Sequence, residues 1–144
     1  MAAEGAVRIP DSHRDLFRRP VCAVLTTLAP DGQPRSCIVW VDEVEGCARF
    51  NTTMERAKAR DLRRDPRVSL LIVDPDDTSR FVQVRGDAEL MTDGAEAQLD
   101  ELTRRYTAYP CFYGFVSPDE QRRHETRVIG RIRARRVQLD AIHH

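Results

Sequence analysis

Val21-Cys-Ala-Val-Leu-Thr-Thr-Leu28, Pro30-Asp-Gly-Gln-Pro34 and Arg35-Ser-Cys-Ile-Val-Trp-Val41 are the stretches on which the fold turns. Residues 21–28 are rich in β-branched side chains and read as a strand. Pro30 to Pro34 reads as a turn, with proline early and Gly32 free to take positive φ. Residues 35–41 read as a second strand, so the pair predicts a hairpin. Glu45-Gly46 marks another turn and Cys47-Ala-Arg-Phe50 a third strand.

Upstream, Pro10 to Phe17 predicts a short helix with Ser12 as N-cap and Asp15 three residues on, stopped by Pro20. Downstream, Met54 to Arg64 reads as a helix closed by Asp65-Pro66, and Arg67 to Val73 as a buried strand. Arg80 to Met91 alternates: Val82, Val84, Gly86, Ala88 and Leu90 face one way, Gln83, Arg85, Asp87 and Glu89 the other. Gly94 to Tyr106 carries Ala95, Leu99, Leu102 and Tyr106 at helical spacing. Tyr109 to Pro118 is a loop dense in aromatics, Asp119 to Glu125 a short polar helix, and Arg127 to Leu139 a last strand with Val128, Gly130, Ile132 and Ala134 on one face. About six strands arranged as hairpins, with three or four short helices and no repeated βαβ unit, predict a mainly β (α+β) antiparallel barrel with helices packed outside.

At 144 residues one domain is expected, 1–144. The 23 basic and 23 acidic residues cancel, which argues against nucleic acid as main partner and leaves little self-repulsion against association. No apolar run is long enough to span a membrane. Residues 1–9 lack the basic start and apolar stretch of a signal peptide, so a cytoplasmic protein is expected. Cys22, Cys37, Cys47 and Cys111 show no CxxC spacing and read as free thiols. The abundance of Arg, Ala, Asp and Val is that of a GC-rich bacterial genome.

Of the 23 basic residues 22 are arginine; the one lysine is Lys58, in Asn51-Thr-Thr-Met-Glu-Arg-Ala-Lys-Ala-Arg60. Lysine is a compact point charge and arginine a planar fork. A single Lys between Arg56 and Arg60 therefore reads as a chosen phosphate contact, or as a solvated helix face. A strand, then Asn51-Thr52-Thr53, then a basic helix places hydroxyls and free backbone N–H groups where an anion binds. In a regular helix Lys58 points roughly 200° away from Arg56, so a shared grip on one phosphate requires an irregular first turn.

No catalytic residue is identified: there is no G-x-S-x-G elbow, and His13, His124, His143 and His144 form no metal-ligand spacing apart from a C-terminal pair expected to fray. No metal is expected. His124, beside Glu125, reads as solvent-exposed. Trp40 reads either as core or as a cofactor wall, and the aromatic loop either as a lid or as a dimer seam.

Ala23 to Pro34, Val39-Trp-Val41 and Arg56-Ala-Lys-Ala-Arg-Asp-Leu-Arg-Arg-Asp-Pro-Arg-Val-Ser-Leu70 together resemble the pyridoxamine 5′-phosphate oxidase-like split β-barrel flavoproteins. Within these the chain is most similar to the actinobacterial branch that uses the deazaflavin coenzyme F420. The likeness extends to Phe81-Val-Gln-Val-Arg-Gly86 and Arg127-Val-Ile, and the R-x-K-x-R-x-L-x-x-D-P run is its most specific part; residues 109–126 are longer and more aromatic than in the shorter members. The resemblance implies a six- to seven-stranded antiparallel split β-barrel and a homodimer with two sites at the subunit interface. It implies that Arg56 and Lys58 hold the cofactor's phosphate, with Asn51, Thr52, Thr53 and Arg60 nearby. Ser36 to Val41, including Val39 and Trp40, would run along the ring. The implied activity is hydride transfer between F420 and a small organic acceptor such as an enone, quinone or tetrapyrrole, with the cofactor carrying the chemistry. The alternatives are an FMN-binding oxidase or reductase of the same fold, a non-catalytic F420 carrier, and a haem-binding relative, although no histidine is well placed as an axial ligand.

Overall fold

The computed structural model describes residues 7–142; residues 1–6, where no signal peptide was read, and the His143-His144 pair lie outside these. The strands are β1 (Ala23–Leu28), β2 (Pro34–Val39), β3 (Val41–Val44), β4 (Cys47–Thr53), β5 (Arg67–Val73), β6 (Phe81–Met91) and β7 (Arg127–Leu139). The helices are α1 (Ala57–Arg64) and α2 (Ala95–Tyr106), with 3-10 turns at Asp11–Phe17 and Asp119–His124.

All seven strands join one antiparallel sheet in the order β2-β1-β5-β6-β7-β4-β3. Its two edges, β2 and β3, are consecutive in the chain and separated by Trp40 alone. Six strand spacings would hold the edges of a flat sheet about 29 Å apart, whereas one intervening residue spans at most about 7 Å. The sheet must therefore roll until its edges meet at Trp40. They do not pair, which gives a split β-barrel.

The inward rows fill the barrel as one apolar cluster. Ala23 and Leu25, Leu70 and Ile72, Val82 and Val84, and Ile132 and Ala134 alternate with outward polar side chains, and Val41, Ala48 and Phe50 complete the wall. Leu16, Phe17 and Leu62 add to the same cluster from the flanking helical segments, and Ile9 from just before the first of them. Two glycines make close approaches possible. Gly130 lies under the Phe50 ring, and Gly86, at the register shift in β6, lies against the β7 backbone. The first helical turn joins the far end of the chain through the fully buried His13, whose Nε2 lies 2.7 Å from Asp140 Oδ1.

Three local expectations are corrected. The second strand stops at Val39, and Val41 opens a separate strand paired with Phe50. The cause is tertiary: the Val41 N–H donates to Tyr106 Oη, and its carbonyl accepts from Arg105. The third strand does not end at Phe50; Asn51, Thr52 and Thr53 continue β4, paired with Ile129, Val128 and Arg127. Ser12 is not an N-cap. The first helix is a 3-10 turn with Pro10 at that position, and the Ser12 hydroxyl bonds its neighbour His13 Nδ1 instead.

Several carboxylates are held below their usual range. Asp15 is lowered by its bond from Arg80. Burial would raise Asp61, but the Thr27 hydroxyl, Arg64 and Arg35 outweigh it and the net shift is down. Arg67 holds Asp65 at about 2. A depressed folded pKa contributes stability that is complete above the unfolded value near 3.9 and lost as pH falls through the folded one. Thermal midpoints should thus hold from pH 7 to about 5 and fall steeply between about pH 4 and 2. A midpoint unchanged down to pH 2.5 would contradict these pairings.

Candidate functional site

The split side of the barrel carries two adjoining depressions. One, of about 170 Å³, lies where Trp40 crosses between the edge strands. Its floor is Val39, Trp40, Asn51 and Thr52, α2 contributes Leu99 and Leu102, and Ile38, Phe112, Arg56, Lys58 and Arg127 surround it. The other, of about 460 Å³, runs along β2 past Thr27, Arg35, Ser36 and Cys37 to Arg56, Ala57 and Lys58. Arg56 and Lys58 line both. None of the lining residues of either is acidic.

The expected obstacle to a joint grip by Arg56 and Lys58 is removed by the backbone. Arg56 lies outside the helix as its N-cap, with extended φ −82 and ψ 154, so the 200° separation of i and i+2 in a helix does not apply to it. The cap carries no side-chain hydrogen bond, and the N–H groups of Ala57 and Lys58 have no intrahelical acceptor. Ion pairs among the described residues occupy the neighbouring Arg35 and Arg64 through Asp61, but engage neither Arg56 nor Lys58. An uncapped helix end with two uncommitted cations has the donor set of an anion site.

Thr52 lies beside this end, in the lining of the smaller depression. Its side chain faces the barrel interior with Ala48 and Phe50, is almost fully buried, and its Oγ1 has no hydrogen-bond partner among the described residues. A buried unsatisfied hydroxyl costs roughly 1–3 kcal/mol. Asn51 is spent on structure: its Nδ2 donates to the Ala95 carbonyl and Gln98 Oε1, tying β4 to α2.

The structure brings Ser36, Val39, Trp40, Asn51, Thr52, Arg56 and Lys58 to these depressions and leaves three expected residues outside their lining. Val41 is sealed in the barrel core. Thr53 is buried in the β4–β7 pairing. Arg60 turns back along the helix and donates to the Glu55 carbonyl at 2.6 Å. Trp40 stacks on Tyr106 with ring centres 5.3 Å apart and planes 14° off parallel, and meets Phe112 edge-on at 6.4 Å. It is a cavity wall backed by the core.

Arg127, read from the sequence as the start of a strand and part of the family likeness but not as a site residue, is the main addition. Its guanidinium lies 4.6 Å from the Phe112 ring centre. It donates to Asn51 Oδ1, Tyr113 Oη and Glu125 Oε2. Tyr113 in turn donates to Glu125 at 2.6 Å; burial first, and this bond second, raise its pKa. The aromatic segment is thereby tied to β7, with Phe112 in the cavity lining. Phe115, at its tip, stays half exposed beside Tyr109. Among the described residues no three His, Cys, Asp or Glu side chains gather as metal ligands, and no helix is long and apolar enough to cross a membrane.

The profile of the pyridoxamine 5′-phosphate oxidase family matches residues 9–139. Among solved structures, the chain is similar to an F420 reductase at 29% identity, over 90% of this chain and 98% of that one, with a TM-score of 0.75. It is similar to a conserved hypothetical protein from Mycobacterium tuberculosis at 31% identity, over 94% and 86% of the two chains, with a TM-score of 0.69. HupZ of Group A Streptococcus shares the fold, at 14% identity and a TM-score of 0.66 over 92% and 95%. No curated protein matches the chain.

Proposed function

We propose that this chain, which belongs to the pyridoxamine 5′-phosphate oxidase family, is an F420-dependent reductase acting on a small organic acceptor such as an enone, quinone or tetrapyrrole. The observation that carries the reading is the uncapped end of α1, where Arg56 and Lys58 border both the β2 groove and the Trp40 cavity. The likeness to an F420 reductase along 98% of that chain favours the deazaflavin over FMN.

Arg56, Lys58 and the first N–H groups of α1 would take the cofactor's phosphate. The outer side of β2 is a sheet edge, so alternate N–H and C=O groups there are free for the polar rim of a flat ring. When bound, the deazaflavin supplies the hydride. Trp40, Leu99, Leu102 and Phe112 would give the acceptor apolar contacts beside it.

Two protomers would meet across this side in a cytoplasmic homodimer. Ile38 is 60% and Phe115 52% exposed, and zero net charge opposes no such pairing. Parallel titration of the purified protein with F420 and FMN, followed by fluorescence, tests the assignment. Tight F420 binding with FMN ignored is expected, followed by oxidation of F420H2 when acceptors are supplied. Preference for FMN would move the protein to the flavin branch, and tight F420 binding without turnover would make it a carrier.

A further inference from the structure

We infer that the Trp40 cavity is built for an acceptor bearing a carboxylate, with Arg127 as the residue that reads it; this rests on the division of the site into a cofactor groove and an acceptor cavity. A guanidinium has five N–H donors. Arg127 spends three, on Asn51, Tyr113 and Glu125, leaving one N–H on each terminal nitrogen. Its side chain is only 10% exposed, yet it lines the cavity, whereas its counter-ion Glu125 does not. The cavity wall thus holds Arg127, Arg56 and Lys58 with no acidic side chain among them. If Arg56 and Lys58 hold the cofactor's phosphate, Arg127 is a second, separate place for an anion.

The Arg127 head is fixed before any ligand arrives. Phe112 and Tyr113 flank it at 4.6 and 5.7 Å, and the three bonds set its plane. A fixed fork loses little freedom on gripping a carboxylate by two parallel N–H bonds. Trp40 and Phe112 give the cavity aromatic lining beside it. A compact conjugated acid would match both free guanidinium N–H groups with two charged oxygens, while its ester offers them only a neutral carbonyl acceptor.

Trp40 is the chain's single tryptophan, so its emission reports on this cavity without need of turnover. The test titrates the full chain with trans-cinnamate and with its methyl ester at pH 7. The acid is expected to quench Trp40 and to bind at least about tenfold tighter than the ester, the discrimination one lost charge-assisted contact brings. Arg127→Gln should erase the difference while F420 affinity is kept. Glu125→Gln should tighten the acid severalfold and leave the ester alone, because a competing carboxylate is removed. Loss of folding would move both variants the same way, so their opposite signs separate reading from scaffolding. Equal binding of acid and ester by the unaltered protein, binding of neither, or a preference unchanged in both variants would overturn the inference. Failure here with F420 binding intact leaves the proposed reductase standing; failure of F420 binding strikes that reading instead.

Discussion

An Arg56→Ala, Lys58→Ala double variant is expected to weaken F420 binding by roughly 10²–10⁴-fold while the fold stays intact. A hydrogen bond to a charged group contributes about 1.5–3 kcal/mol, so two contacts sum to about 3–6, and each 1.4 kcal/mol is a factor of ten in Kd. Each single variant should lose about 10- to 100-fold. The fold should tolerate both changes because neither side chain enters the ion pairs of the described residues. Arg56 is exposed and extended, and Lys58 is half-buried at the rim; surface substitutions of this kind stay within about 0.5 kcal/mol. Arg60→Ala is the internal control. Its guanidinium is committed to the Glu55 carbonyl, so cofactor affinity should change little. Fluorescence titration with F420 beside a urea melt decides the matter. An affinity untouched in the double variant, or lost equally in Arg60→Ala, would remove the phosphate from this helix end.

Gly86→Ala is expected to destabilise the protein by about 3–5 kcal/mol, beyond the 1–3 usual for overpacking. A Cβ at Gly86 would stand 2.0 Å from the Arg133 carbonyl oxygen and 2.9 Å from Ala134 Cα. Both are backbone atoms of the neighbouring strand, so no rotamer change relieves the clash. β6 and β7 must part at the point where their register shifts, and these strands lie in the middle of the sheet. Native domains hold only about 5–15 kcal/mol in reserve, so a large share of stability should vanish. Gly130 differs: there the obstacle is the Phe50 side chain, at 2.1 Å, whose ring can be trimmed by a second substitution. Urea denaturation followed by circular dichroism measures the loss. A midpoint within about 0.5 kcal/mol of the parent would mean that the two strands are not held this close.

Local pattern and spatial neighbours contributed differently to this molecule. β5 was legible to the residue, Arg67–Val73, because a short β-branched run bounded by Pro66 and Asp74-Pro75 carries its own limits. β6, β7 and α2 were legible because eleven or more residues of alternation or helical spacing leave few competing assignments. The lone Lys58 and its arginine neighbours pointed to the basic end of α1, which borders both depressions, because residue choice there departs from the chain's own background. The sequence by itself thus determined the antiparallel β character, the inward rows and the basic helix end. The break at Trp40 was decided elsewhere, since the groups that take the Val41 N–H and carbonyl sit about 65 residues away on α2. The strand character of Asn51–Thr53 came from β7, more than 70 residues on. Arg127 became a cavity wall only when Phe112, Asn51 and Glu125 were packed round it. Hydrophobic periodicity records which face of an element is buried; it holds no record of which distant donor meets which acceptor, and at this site those meetings place the side chains.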